Sequence, residues 1–244
     1  MAADAQNSPF IKNLASSDKR IRDQALESLR VYLGGRSQIP ELDLLKLWKG
    51  LFYCLWMQDK PLNQQRLARD LASLPSTLQP GVVLPFLSAF WRTIAREWGQ
   101  IDALRMDKYL FLIRQYVNAS WRYLSRDSWG NRAAVQEYAQ ILAECPLSAA
   151  DVKVPNGLRY HVLDVFVDEL EKVQEKWDGE GNKAVLETLV EPIEKLVTES
   201  KVKAVRGAAQ ECLADDRLRR WRGQEADTNG GIEDHEEEWG GIED

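Results

Sequence analysis

MDKYLFLIRQYVNASWRYL, residues 106–124, decides the fold class. Its apolar positions Met106, Tyr109, Ile113, Val117, Ser120 or Trp121, and Leu124 recur every three or four residues, which gathers them along one side of a helix. A half-buried strand needs alternation with period two, and none is present here.

The same periodicity extends in both directions. Upstream, Ile21, Ala25, Leu29 and Tyr32 form one stripe, with Ser17 or Asp18 placed to cap its start and Gly34-Gly35 placed to stop it. Leu44, Trp48, Leu51 and Leu55 form a second, and Leu67, Leu71 and Leu74 a third. Between them, Asp59-Lys60-Pro61 predicts a corner: Asp59 caps the next helix and Pro61 begins it. A further helix is expected over Thr77–Trp98, with Pro80 and Pro85 near its entry, and a shorter one over Trp129–Leu142. Leu147–Gly157 reads as a loop, and Val162, Phe166, Leu170 and Val173 resume the pattern. Two weaker helices, near Lys183–Glu199 and Val202–Leu213, complete the body. Short loops between such helices favour successive antiparallel pairs. An internal echo points the same way. Ile21-Arg22, Ala25, Glu27 and Leu29 match Val205-Arg206, Ala209, Glu211 and Leu213 at identical spacing. The expectation is an all-α protein of stacked antiparallel helix pairs, a HEAT/armadillo-like α-solenoid.

Charge divides the chain. Residues 224–244 hold nine Asp or Glu and no Lys or Arg, so the overall −6 conceals +3 over residues 1–223. Glycine and acid without an apolar face cannot offset the entropy of ordering, so 224–244 is expected to be a disordered acidic tail. A short disordered start, residues 1–7, and a helical-repeat domain over 8–223 complete the division. Within the body, Trp91–Arg132 and Lys201–Arg222 each carry +4, whereas Asp164–Glu199 carries −7. Such uneven charge suits both anionic and cationic partners. The start, MAADAQNSPF, lacks a secretory pattern, and no apolar run reaches membrane-spanning length, so an intracellular protein without membrane contact is expected. Cys54, Cys145 and Cys212 stand far apart and read as small buried hydrophobes.

Signals for catalysis are missing. There is no phosphate-binding glycine loop, and neither His161 nor His235 has a second ligand at metal spacing, so no cofactor, metal or small-molecule substrate is expected. Asp164 and Asp168, four apart on one helix, admit a metal-dependent nuclease only as a remote third reading. Tryptophan beside arginine, at Trp91-Arg92, Trp121-Arg122 and Trp221-Arg222, suits RNA chemically, although Trp48 and Trp121 fall on core stripes. On the long helix Lys108, Gln115 and Arg122 recur every seven residues, with Arg105 nearby. They predict a positive ridge able to follow an RNA backbone or an acidic protein.

Three stretches carry a family resemblance. They are Gly50-Leu-Phe-Tyr-Cys-Leu-Trp-Met-Gln-Asp-Lys-Pro-Leu62, then Phe90-Trp-Arg-Thr-Ile-Ala-Arg-Glu-Trp98 running on through Ile101-Asp-Ala-Leu-Arg-Met-Asp-Lys-Tyr109, and Pro155-Asn-Gly-Leu-Arg-Tyr-His161 leading into Val165-Phe-Val-Asp-Glu-Leu170. In this order, over roughly residues 8–215, the chain resembles the ribosomal RNA-processing protein 1 family, also called the nucleolar protein 52 family. The resemblance implies a helical, non-catalytic assembly factor of the nucleolus and nucleus, present in precursors of the large ribosomal subunit and needed for maturation of their RNA. Its partners would be other large-subunit assembly factors and, directly or not, precursor ribosomal RNA. Many members continue into a lysine-rich extension where this chain has its acidic tail, so no role of that extension carries over. Arg105, Lys108, Arg159 and His161 within the motifs, and Arg122 on the long helix, are the expected partner or RNA contacts, and Trp56 the expected core residue of its corner. A helical adaptor outside ribosome assembly is the alternative.

Overall fold

A computed structural model describes residues 13, 14, 16 and 18–224; the expected disordered ends lie outside these, apart from Gln224. The helices are α1 (Lys19–Gly34), α2 (Glu41–Trp56), α3 (Pro61–Ala72), α4 (Pro80–Glu97), α5 (Ala103–Leu124), α6 (Arg132–Glu144), α7 (Asn156–Glu171), α8 (Glu180–Glu199), α9 (Lys203–Leu213) and the short α10 (Asp216–Trp221). No strand occurs among the described residues.

Even and odd helices segregate into two layers. In one, α2 packs on α4, α4 on α6 and α6 on α8; in the other, α3 packs on α5, α5 on α7 and α7 on α9. Helix α1 joins the odd layer beside α3 through Arg22 to Asn63, Asp23 to Arg66 and Arg30 to Ser73. This is the expected α-solenoid, and it explains the internal echo: α1 and α9, which carry it, are the first and last of the long odd-layer helices.

Local chemistry sets the boundaries. Asp18 caps α1 by accepting from the Arg20 amide at 2.8 Å, and Asp102 caps α5 by accepting from the Arg105 amide at 3.0 Å. Pro61 and Pro80 occupy first turns, where their missing N–H costs nothing. The corner at Asp59 departs from expectation. The residue preceding α3 is Lys60, no side chain caps this helix, and Asp59 is exposed. Instead the Gln64 amide reaches back to the Gln58 carbonyl at 2.8 Å. The helix expected from Thr77 begins at Pro80, because Leu74–Thr77 form a separate 3₁₀ turn. In α1 the buried row is Ala25, Leu26, Leu29 and Leu33, while Ile21 and Tyr32 lie exposed. The expected stripe was therefore turned by part of a turn.

Between α5 and α6, Asp127, Ser128 and Trp129 take φ of 52°, 55° and 61°. Left-handed geometry costs about 1–2 kcal/mol for each non-glycine residue. Complete burial of the Trp129 ring offsets it: the ring packs on Trp177 at 5.2 Å, and its N–H donates to Gln174 at 3.1 Å.

Aromatic side chains fill the seam between the layers. Trp48 of α2 meets Phe86 and Phe90 of α4 at 4.9 Å each and Tyr116 of α5 at 5.0 Å. Farther along, Trp121 meets Tyr138 and Phe166, and Trp177 bridges Trp129 and Trp221. Trp91, Trp121 and Trp221 are thus buried, which removes the tryptophans next to arginine as stacking platforms for bases. The three cysteines are buried, each thiol pushed up to about 12 by burial, as expected of small hydrophobes. Trp56 is only half-buried, packed on Phe52 and covered by Arg105. We therefore expect Trp48→Ala to lower unfolding free energy by about 3–5 kcal/mol. Trp56→Ala should cost distinctly less, because its ring is only partly withdrawn from water. Urea denaturation of both variants checks the order; equal losses would contradict this packing.

Candidate interaction surface on the odd-numbered layer

The expected contact residues follow from the backbone outward, and the structure separates them. Lys108 is not on a ridge. It is 7% exposed, and its ammonium donates to the carbonyls of Trp56 at 2.7 Å and Gln58 at 2.9 Å. These carbonyls end α2 and begin the corner, where a helix leaves its last acceptors unpaired and its dipole favours a cation. Burial pulls the Lys108 pKa down. A signal was present in the sequence: Lys108 precedes Leu112 and Tyr116 by four and eight residues, and both are core positions.

Arg159 is also turned inward. At 5% exposure it donates to the carbonyls of Ser148 and Asp151 at 2.7 Å each, to that of Val154, and to the Asn156 side chain at 2.9 Å. One guanidinium thereby gathers the loop between α6 and α7, which has no secondary structure to satisfy its own carbonyls. The fork geometry of arginine is what allows several acceptors at once. Gly157, expected in a turn, lies in the first turn of α7. A β-carbon there would meet the Trp98 ring at 3.1 Å, so glycine lets Trp98 lie against the helix.

Arg105 is half-buried, ion-paired with Asp102 and laid 4.7 Å over the Trp56 ring. His161 is half-buried, with Nε2 2.8 Å from the Leu110 carbonyl. A carbonyl only accepts, so Nε2 carries the proton and the ring is held as that tautomer. Arg122 alone is openly exposed, with its Nε donating to Asn118 at 2.7 Å.

Two surfaces emerge on the odd-numbered layer. Near α3 and α5, Arg69 lies exposed with its guanidinium 5.3 Å over the half-buried Phe111 ring. Phe111, Gln115, Asn118 and Arg122 follow one another at helical spacing on the outer side of α5. This strip keeps Gln115 and Arg122 of the expected ridge and replaces Lys108 with Arg69. Arginine and an accessible aromatic edge are groups that bind phosphate and stack on unpaired bases. Sequence reasoning missed Arg69 because it belongs to another helix.

The second surface is a groove of about 820 Å³ between α5, α7 and α9, with Trp98, Met106, Tyr160 and Val167 among its apolar lining and Asp164 and Glu211 at its rim. Neighbouring acids are thoroughly paired: Asp168 receives Arg114 and Arg217 at 3.0 Å each, and Arg217 also reaches Glu171 and Asp215, the last of which lines the groove. Burial would raise the Asp168 carboxyl, but the two guanidiniums hold it below its ordinary value. The Asp168 oxygens are thus engaged by guanidiniums, and Asp164 has no part in that network. Among the described residues no group of three His, Cys, Asp or Glu side chains gathers as metal ligands, and no helix is long and apolar enough to cross a membrane.

These environments make two checks possible. Lys108→Met keeps the aliphatic stem but strands the Trp56 carbonyl and leaves that of Gln58 to the Gln64 amide alone, so unfolding free energy should fall by about 1–3 kcal/mol. Arg122→Glu should move it by no more than about 0.5 kcal/mol. Urea midpoints decide; a harmless Lys108→Met would restore the ridge. For His161, burial lowers the pKa below its ordinary 6.5, with the Leu110 carbonyl and Asp164 opposing and Arg114 assisting. The unfolded chain then binds the proton more readily, so the associated stability is complete above pH 6.5 and declines as pH falls through the lowered folded value. His161→Gln, which retains a donor, should flatten this decline in urea midpoints measured from pH 7.5 to 5.

Comparison with known proteins fits this arrangement of motifs. The family described as "Nucleolar protein, Nop52" matches residues 5–241. The human protein "Ribosomal RNA processing protein 1 homolog B" is 40% identical over 173 residues, covering 67% of this chain and 22% of its own length. Human "Ribosomal RNA processing protein 1 homolog A" is 39% identical over 168 residues, 66% of this chain and 36% of the relative. The Drosophila melanogaster protein "Ribosomal RNA processing protein 1 homolog" is 36% identical over 178 residues, 69% of this chain and 25% of the relative. The matched region thus spans about a fifth to two fifths of the curated relatives' length. The chain belongs to the Nop52 family of nucleolar proteins.

Proposed function

We propose that this chain is a non-catalytic nucleolar assembly factor for the large ribosomal subunit, a helical scaffold in the pre-ribosome that is needed for maturation of large-subunit precursor RNA. Relatives named for ribosomal RNA processing support the setting. The observation that carries the scaffold role is the division of the odd-numbered layer. The strip from Arg69 to Arg122 offers guanidiniums with no carboxylate partner among the described residues, whereas the groove offers an apolar floor and a negative rim. Opposite chemistry on one rigid surface lets a single protein hold an RNA backbone and a protein segment in fixed relation. Phosphate contact requires unpaired cations, and burial of apolar surface requires a groove from which water is displaced. Neither demands a reacting group.

The test begins with the tagged full-length protein and sequencing of the RNA that co-purifies. Large-subunit precursor RNA is expected; its absence would favour the helical adaptor working elsewhere. The paired reversals Arg69→Glu and Arg122→Glu should then weaken co-sedimentation with those precursors while leaving the melting transition nearly unchanged. Each lost phosphate contact should also flatten the dependence of binding on salt. Sedimentation equal to wild type at every salt concentration would remove the strip as an RNA contact.

A further inference from the structure

Acids around α7 are not treated alike. Asp168, Glu169, Glu171 and Asp215 each have an arginine partner, and Glu169 takes Lys172 as well. Asp164 and Glu211, one turn away and facing the groove, have no ion-pair partner among the described residues. The fold thus neutralises the carboxylates that join its helices and leaves two at the groove uncompensated. Between them lies apolar surface: Trp98, held against Gly157, with Met106, Tyr160 and Val167. Tyr160 is 36% exposed, so this surface meets solvent.

We propose that the groove between α5, α7 and α9 is the docking site for an amphipathic helical segment of a partner protein, whose apolar stripe is flanked by lysine or arginine. Size, polarity and charge all favour this occupant. Along α7 the lining runs from Gly157 to Val167, about 15 Å of helix, which matches roughly three turns of a bound helix. An apolar floor takes the i, i+3, i+4 and i+7 side chains of such a segment. The carboxylates at the rim then receive its cations and set its direction. The same carboxylates disfavour the two other obvious occupants. RNA is a polyanion, and residues 225–244 of this chain contain nine acids and no Lys or Arg. This proposal deepens the scaffold reading by naming the chemistry of its protein partner, yet it does not require the partner to be ribosomal.

Tyr160→p-benzoylphenylalanine in the full-length protein replaces one exposed aromatic with a photoreactive one. Irradiation in cells, followed by mass spectrometry of the crosslinked peptide, identifies what lies in the groove. A segment of another protein with apolar residues at helical spacing and at least two flanking Lys or Arg is expected. A synthetic peptide of that segment should bind the purified protein and lose about tenfold or more in affinity to Asp164→Lys/Glu211→Lys. Circular dichroism of the double variant should match wild type, since neither residue joins helices. Crosslinks to residues 225–244, to RNA, to a second copy of the chain, or to nothing would overturn the proposal, as would undiminished binding by a folded double variant. A partner unconnected with ribosomes would preserve the groove and count against the proposed function. Precursor RNA that co-purifies without any groove crosslink would do the reverse.

Discussion

Tyr116 is the point on which the first half of the molecule depends. Its ring stacks on Phe90 at 4.1 Å and meets Trp48 edge-on, while its hydroxyl donates 2.6 Å to the Leu71 carbonyl at the end of α3. One side chain of α5 therefore touches α2, α3 and α4, and so spans both layers. A buried hydroxyl without a partner would be costly, and burial also disfavours the ionised form, raising this phenol well above its usual range. The bond to Leu71 fixes how far α3 slides along α5. Tyr109 repeats the device one layer contact earlier, donating 2.8 Å to the Phe52 carbonyl in α2. Large aromatic bodies supply the area, and their polar ends supply the register.

The same economy explains why charges that resemble a binding face turn out to be internal. A solenoid built from short helices has many helix ends, and each end leaves carbonyls to be satisfied. Lys108 closes the end of α2, and Arg159 closes an entire loop. Both are long side chains whose stems lie along apolar surface while the cation reaches backbone oxygen. Removing Lys108 would unpair the Trp56 carbonyl and removing Arg159 several loop carbonyls, so their importance to the fold exceeds that of an ordinary surface charge.

With those cations withdrawn, the odd-numbered layer resolves into two electrostatic regions. Exposed arginines lie toward α3 and the outer side of α5, and uncompensated carboxylates lie toward α7 and α9. The ion network of Arg114, Asp168, Glu169 and Arg217 sits between α5, α7 and α10 and ties the two regions together. Because these partners are fixed by packing, the regions hold a constant relation to each other, which is the property a scaffold needs.

The amino-acid sequence by itself determined the helices, the two-layer stacking and the family. Period-3.6 stripes such as Tyr109, Ile113 and Val117 report burial directly, and helix starts are marked locally by residues such as Asp18 and Pro61. It also placed Arg122 outward, where the side chain bonds to Asn118 of its own helix. The places where it failed share one physical cause. Lys108, Arg159, Trp91 and Trp221 are defined by groups beyond their own helix, as are the pairing of Asp168 and the stacking of Arg69 on Phe111, with separations reaching 54 positions. A single helix shows which side of itself is apolar, but not which carbonyl or ring a neighbour brings to its border. At those borders, where a stem is buried and a charge finds backbone oxygen, only the tertiary structure decided between a contact surface and a brace.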